Sequence, residues 1–595
     1  MSHPASRLSS LLRPRLTVLP VAAVAVVALM PLATQSAAPA RSAPWTPLSP
    51  ASVTFASSTG STVRAGLLGF NDFHGAIDKP TGSGGLVNGA PAGGSEYLAT
   101  TVKELRAAHT AAGQPVLTLA AGDLIGASPL VSAAFHDEPA IEEMNNLGLD
   151  ISSVGNHEFD EGTTELKRMQ NGGCHPTDGC QDGDGFTGAD FHYLSANVVD
   201  KVTRQPLFPA YEVRRVGGIK VGFIGETLLG TPGIVNPAGI TTVDFLDEAS
   251  TANFWANKLR KEQGVKAFVL LIHQGGTQPV GADPSGCAAF AGDITPIVAN
   301  LDPMFGVVIS GHTHRFYSCA LPNKSGANSV VTSAGANGVL VTDINVTLAK
   351  GTGSFVAASA RNVLVSNTDP ARIDAGAKAI ADKYRTAIAP IANRIVGSIT
   401  ADITRAAAPS QETALGDVIA DGMVAYTTGA GAQLAFMNPG GIRADLVYAG
   451  SPAGEGDGNV TFGECFTVQP FNNLVVTVSL TGAQIKAILE QQLFSGTTLR
   501  ILQVSNGFTY SYDSTLGAGN RVSDMALNGV PIDPAATYKV STNDFLANGG
   551  DGFTNFSAAT GRVTAPGFDV DALAAYLGSH APVSPGPQNR ITKIA

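Results

Sequence analysis

Five apolar runs of strand length recur along the first half of the chain, each ended at once by a polar cluster. Val63 to Phe70 runs into Asn71-Asp72-Phe73-His74-Gly75, Pro115 to Ala121 into Gly122-Asp123, and Ile151 to Val154 into Gly155-Asn156-His157-Glu158-Phe159-Asp160. Lys266 to Ile272 leads to His273-Gln274-Gly275, and Phe305 to Ser310 to Gly311-His312-Thr313-His314. Continuous apolar runs suit strands covered on both faces, and the intervening Ser95 to Ala108 and Asp247 to Glu262 are expected as helices. Five strand ends then converge on one edge, where layered α/β folds gather their chemistry. Gly338 to Leu348 and Ser354 to Val365 alternate as further strands. Pro370 to Ala389 carries Ile380, Tyr384 and Ile388 at helical spacing, with Pro390 stopping or kinking the helix. It reads as a helix connecting two domains, although the pattern alone fits an ordinary domain helix equally well.

After Val396 the texture changes. Gln433 to Met437 is a strand run opening into Asn438-Pro439-Gly440-Gly441-Ile442-Arg443, whose glycines let backbone donors approach an anion and whose arginine suits phosphate or ribose. Asn473 to Leu480 is another strand. Thr481-Gly482-Ala483-Gln484 has the form of a capping box opening a helix with Ile485, Ile488 and Leu489 inward. Two polar, glycine-rich loops, Gln469 to Asn473 and Asn543 to Phe553, carry Phe471 and Phe545 as candidates to stack on a flat ligand.

Composition narrows the class. At 595 residues the chain exceeds one ordinary core, so two or more domains are expected. A net charge of −11, 14% charged residues and no basic run argue against nucleic acid or an anionic membrane surface as partner. Arg7, Arg13 and Arg15 precede an apolar run from Leu16 to Ala33 and the small-residue stretch Ser36 to Ala40. Residues 1 to 43 therefore read as a secretory signal, with an uncleaved anchor as the alternative. A secreted, extracellular or cell-envelope location follows. The cysteines fit export: Cys174 with Cys180 and Cys287 with Cys319 are the expected disulfides, leaving Cys465 over.

Five of the 11 histidines, His74, His157, His273, His312 and His314, fall in the polar clusters together with Asp72, Asp123 and Asn156. Asp72-x-His74 and His312-x-His314 place alternate side chains on one side of an extended segment, and Asp123 is the natural bridge because a carboxylate has two oxygens. One ion is assigned to Asp72, His74, Asp123 and His314, and a second to Asp123, Asn156, His273 and His312. Nitrogen and oxygen donors without thiolate favour zinc, manganese or cobalt over calcium or magnesium. Two such ions, about 3.5 to 4 Å apart, suit phosphoryl transfer to a shared water. His157 is placed outside the metals as proton donor or stabiliser, oriented by Asp160. Glu158 reads as a surface or capping residue. His109, His136, His175, His192 and His580 lack such company and read as structural.

These five motifs, in this order, resemble those of the calcineurin-like metallophosphoesterases, and within them the secreted 5′-nucleotidase and UDP-sugar hydrolase family. The resemblance covers about residues 64 to 320. It implies an α/β fold: a four-layer αββα metallophosphoesterase domain followed by a smaller α+β nucleotide-recognition domain. The loop Asn438 to Arg443 and the stretch Asn543 to Phe553 are similar to the family's carboxy-terminal domain, over about residues 395 to 565, in which two phenylalanines sandwich the base. On that likeness Asn438, Gly440, Arg443, Phe471, Phe545 and Asp551 are expected to bind substrate. There are departures: Pro439 and Asn472 stand where relatives commonly have glycine, and Gln411 where some carry an arginine that Arg405 is expected to replace. His314 is Gln or Asn in some members. The expected organisation is a signal at 1–43, a metallophosphoesterase domain at 64–365, a linker helix at 366–396, a substrate-binding domain at 397–565 and a tail at 566–595. The implied activity is hydrolysis of 5′-nucleotides, with UDP-sugars and 2′,3′-cyclic nucleotides as further substrates. A phosphodiesterase acting mainly on cyclic nucleotides, or a surface nucleotide-binding protein without turnover, are the alternatives.

Overall fold

In a computed structural model, residues 51–55, 60–492 and 499–595 are described, so the leader segment read at 1–43 lies outside the described residues. The five motif strands divide between two sheets. Thr62–Phe70, Val116–Ala121 and Ile151–Ser153 are adjacent and parallel in a seven-stranded sheet that also holds Ala51–Thr54, Phe355–Leu364, Leu340–Ala349 and His192–Leu194. Ala267–His273 and Phe305–Ser310 are parallel neighbours in a six-stranded sheet with Ile219–Thr227, Tyr211–Val216, Asn328–Ala334 and Phe316–Pro322.

The side chains explain why both sets of runs are apolar throughout. Leu67, Leu119 and Ile151 from one sheet meet Val269, Leu271, Val307 and Ile309 from the other in one buried core. Their neighbours point outward: Leu68, Phe70 and Ala120 pack under the helix Ser95–Ala111 through Leu98 and Val102. On the far side Leu270, Ile272 and Val308 are covered by Ala252, Ala256 and Leu259 of the helix Glu248–Gln263. Each strand is thus buried on two faces, and the layers run helix, sheet, sheet, helix.

The second half holds a five-stranded sheet in the order Gln503–Val504, Leu434–Met437, Thr537–Asn543, Leu474–Thr481, Thr560–Phe568. The expected capping box is present, with Thr481 and Gln484 opening the helix Gly482–Glu490. The helix Ala375–Ala392 lies between the halves, its Tyr384 ring 4.8 Å from that of Phe135, and it shares a continuous core with Leu415 and Phe466. Pro390 lies inside this helix and the last turn continues to Ala392, with Ile388 and Ile391 packed on the core.

The stretch 566–595, expected as a tail, is instead built into the fold. The helix Asp569–Ser579 buries Val570, Leu573 and Leu577, and Ile591–Lys593 pairs in parallel with Phe508–Tyr512. Apolar residues spaced along that segment carry the packing, which its proline content obscured. Both expected disulfides form, Cys174 with Cys180 and Cys287 with Cys319, and Cys465 is free and buried. No helix among the described residues is long and apolar enough to cross a membrane.

Candidate active site

The residues at the motif strand ends meet along one edge of the sandwich. Asp72 Oδ1, His74 Nε2 and His314 Nε2 form one group: His74 Nε2 and His314 Nε2 are 3.0 Å apart, and His314 Nε2 is 3.4 Å from Asp72 Oδ1. Asp123, His273 and His312 form a second, with His273 Nε2 2.9 Å from Asp123 Oδ2 and His312 Nδ1 3.0 Å from Asn156 Oδ1. Asp123 reaches both, since its Oδ2 is also 3.7 Å from His74 Nε2.

The local backbone is not the extended segment expected of Asp72-x-His74 and His312-x-His314. Asp72, His74, Asp123, His312 and His314 all have left-handed φ, between 48° and 72°. Such a conformation costs a non-glycine residue about 1–3 kcal/mol and persists only where surroundings enforce it. Here Asp72 N donates to Gly122 O and His74 N to Asp123 O, while His312 N donates to Asp72 Oδ2 at 3.0 Å. The loops hold one another in these turns. Gly155 is required by the same crowding, because a Cβ there would lie 2.2 Å from Asp123 Oδ1.

Two residues hold this arrangement without a role read from sequence. Glu158, expected at the surface or as a cap, is 2% exposed and accepts from the amides of Asp123, Leu124 and Gly155 at 2.9, 2.8 and 2.6 Å. Asn71 donates to Asp72 Oδ2 and Gly335 O at 2.5 and 2.7 Å, fixing the aspartate's rotation.

The donor set fits divalent cations. His273 Nδ1 faces Ala121 O at 2.7 Å and His74 Nδ1 faces Gly126 O at 2.8 Å, so each carries its proton on Nδ1 and turns a bare Nε2 inward. Burial pushes His74, His312 and His314 down, His312 to about 3, which keeps them neutral ligands. His273 rises to about 10, because Asp123 outweighs its burial. Asp123 Oδ2 and His273 Nε2 are buried, 2.9 Å apart and without any further partner, so a cation between them would satisfy both.

His157 stands beside these groups. Its Nδ1 is 2.8 Å from Asp160 Oδ2, and its backbone N donates to Asp123 Oδ1 at 2.9 Å. Burial alone would lower this imidazole, yet Asp160 and Asp123 hold it above its ordinary value. Its other side meets the second half of the chain: the Phe471 ring stacks on it, centroids 5.6 Å apart, and the Arg443 guanidinium lies 5.7 Å over Phe471. The charge of Arg443 also reaches His74 and His314, helping to depress both. Asn472, where relatives commonly carry glycine, takes φ 51°, a conformation asparagine tolerates.

The remaining substrate candidates form a neighbouring cluster. Asn438 Nδ2 donates to Asp551 Oδ2 at 2.8 Å, Arg500 Nη1 donates to Asp551 O at 2.9 Å, and the Phe545 ring lies against Gly550. A Cβ at Gly440 would lie in ordinary contact with Asp551 Oδ2 at 3.6 Å and Asn438 Nδ2 at 3.8 Å. Arg405 is engaged elsewhere, with Asp445 Oδ1 at 3.1 Å and Ser83 Oγ at 3.3 Å, where Asp445 and Ser83 tie the two halves together. Arg500 was not singled out by sequence. Its charge helps lower His312, although an arginine after a plain loop carries no signal of that. The histidines read as structural have partners after all: His109 Nε2 is 2.9 Å from Asp343 Oδ1, and His136 and His192 each face a carboxylate.

Family models describe this combination. Calcineurin-like phosphoesterase matches residues 67–316, and the 5′-nucleotidase C-terminal domain matches residues 390–558. The chain is 33% identical to the cell wall protein Lmo0130 of Listeria monocytogenes, over 88% of this chain and 68% of that protein. It is 34% identical to the endonuclease YhcR of Bacillus subtilis over 81% of its own length, but spans only 37% of that relative. The crystal structure of the 5′-nucleotidase precursor from Thermus thermophilus superposes with a TM-score of 0.73 at 28% identity, covering 89% of this chain and 99% of that one. With the five motifs, the paired His/Asp groups and both domain models in agreement, the chain belongs to the calcineurin-like phosphoesterases that carry a 5′-nucleotidase C-terminal domain, a family of metal-dependent phosphoester hydrolases.

Proposed function

We propose that this protein is an exported nucleotide phosphohydrolase that removes the 5′-phosphate from nucleoside monophosphates using two divalent cations. The observation that carries the reading is the approach of Phe471 and Arg443, from the second half, to His157 and the ligand groups of the first. An aromatic face and a guanidinium beside a cation-binding centre recognise a base and a phosphate together.

One cation is assigned to Asp72, His74, Asp123 and His314 and the other to Asp123, Asn156, His273 and His312; the gathering of Asp72 with His74 and His314, and of Asp123 with His273 and His312, supports this, and His157, which also comes together with His74 and Asp123, is kept for the proton. Bound there, they supply Lewis-acid charge to the phosphate and lower the pKa of the attacking water. His157, oriented by Asp160, donates the proton that the leaving 5′ oxygen takes up as the phosphorus–oxygen ester bond breaks. Arg443 clamps the phosphate, Phe471 and Phe545 flank the base, and Asn438, Gly440 and Asp551 bind the ribose side. Nitrogen and oxygen donors support zinc, manganese or cobalt.

Two disulfides and a relative named as a cell wall protein support a location outside the cytoplasm. The substrate-binding half is assigned to 397–565, joined through a linker at 366–396 to a phosphoesterase domain at 64–365, with the helix Asp569–Ser579 completing the second half. Diester cleavage is the second reading, favoured by likeness to a relative named as an endonuclease. Phosphate release from AMP, UDP-glucose and 2′,3′-cyclic AMP, with and without chelator, tests both. Chelator-sensitive turnover fastest on AMP is expected, and a preference for the cyclic diester overturns the nucleotidase reading.

A further inference from the structure

A second constellation of metal-ligating side chains lies behind the active site. His136, Glu161, Glu165 and His175 each bring one ligand atom to within 4.8 Å of the others. They come from three segments. His136 follows the short helix Leu130–Ala133, Glu161 precedes the helix Gly162–Asn171 and Glu165 lies in its first turn, and His175 sits in the loop closed by Cys174 and Cys180. The two imidazoles are stacked, centroids 3.8 Å apart and 14° from parallel. His136 Nδ1 is 2.8 Å from Glu161 Oε2 and His136 Nε2 is 3.1 Å from Asp178 Oδ2. His175 Nε2 is 3.9 Å from Glu165 Oε2 and His175 Nδ1 is 3.5 Å from Asp178 Oδ2.

Three carboxylates therefore surround two imidazoles that cannot both be protonated at that separation. The cation bonded to the cluster is Arg168, which is shared between Glu165 and Glu138 at 2.6 and 2.5 Å. Negative charge stays in excess, and imidazole nitrogen and carboxylate oxygen are both ligand types that zinc takes, four of them completing a tetrahedron. We infer that His136, Glu161, Glu165 and His175 bind a divalent transition metal ion, zinc by its donors, at a structural site separate from the phosphoester centre.

With zinc bonds of about 2.0–2.2 Å, neighbouring ligand atoms stand about 3.3–3.6 Å apart, so the four side chains must close by about an ångström and the two rings must turn out of their parallel stack to aim one nitrogen each at the ion. The ion ties the disulfide loop to two segments that support the active site. Asp137, next to His136, accepts from Gly126 N at 2.9 Å, and Gly126 O faces His74 Nδ1. Glu161 directly follows Asp160, the partner of His157. The metal thus braces one ligand and the proton donor from behind, as a positioning device.

Zinc counting on the full chain tests this without relying on activity. Asp123→Ala, which lacks the bridging ligand of the phosphoester centre, is compared with the Asp123→Ala/His175→Ala double variant after dialysis against dilute zinc. The double variant is expected to bind about one equivalent less. Added zinc should raise the Tm of Asp123→Ala and leave that of the double variant unmoved. Equal zinc counts in the two folded proteins overturn the site. Should His175→Ala fail to fold, Glu161→Gln at an exposed position replaces it, with the same loss expected and the same equality decisive.

Discussion

Asp123 uses both oxygens, Oδ1 to hold the His157 amide and Oδ2 to face His273 and His74, while its own backbone amide rests on Glu158. Removing the carboxylate strips a ligand from both groups, whereas removing the His157 ring strips none. Asp123→Ala is therefore expected to lose active-centre metal and turnover together. His157→Ala should keep its metal and lose kcat by about a hundredfold or more. Metal analysis beside initial rates separates the two, and near-stoichiometric active-centre metal in Asp123→Ala would contradict the bridge. The identities of these residues were legible because His, Asp and Asn at successive strand ends are seldom gathered for any other purpose. Glu158 was not, since nothing in a sequence says which backbone amides a carboxylate will find.

At the scale of the element, the motif loops are turns locked against one another rather than ends of strands. Gly155→Ala tests this. Its Cβ would fall 2.2 Å from Asp123 Oδ1 and 2.6 Å from Asp123 N, so the bridging carboxylate and the backbone that carries it would both have to shift. The variant is expected to fold, because the strands below are untouched, but to bind metal more weakly and lose at least tenfold in kcat/KM. Titration with manganese or zinc reads the weakened binding, and a wild-type affinity would show that the loops yield more easily than argued. The strands themselves were readable to within a residue or two, as with Phe305–Ser310, because burial on both faces leaves an unbroken apolar run. The segment after Gly578 was misread as a tail because a strand as short as Ile591–Lys593 is specified by its partner more than by its own pattern.

Across the whole molecule, the residues proposed for recognition and the candidate metal groups sit in different halves of the chain, held together by the core around Tyr384 and by Ser83, Asp445 and Arg405. Phe545, proposed to flank the base, packs against Gly550 in the second half of the chain. Stacking contributes about 1–3 kcal/mol per base in single-strand binders, so Phe545→Ala should lower kcat/KM for AMP by roughly five- to a hundredfold. Hydrolysis of an aryl phosphate, which has no base, should change little. Equal losses on both substrates with a lowered Tm would instead make Phe545 a packing residue.

The amino-acid sequence alone marked out the side chains that the fold gathers along one edge and where along the chain they fall, because hydrophobic periodicity is a local property and a doubly buried strand must surrender its polar neighbours at an edge. The cysteine pairs were expected from it, and the fold decided their connectivity. Tertiary structure decided the rest. It split the five motif strands between two sheets so that His273 and His312 face Asp72 and Asp123 across a seam, and it forced the ligands into left-handed turns. It placed Phe471 on His157 and gathered His136 with His175. Each of these depends on contacts between segments far apart in the chain, and such contacts leave no periodicity in the residues that make them.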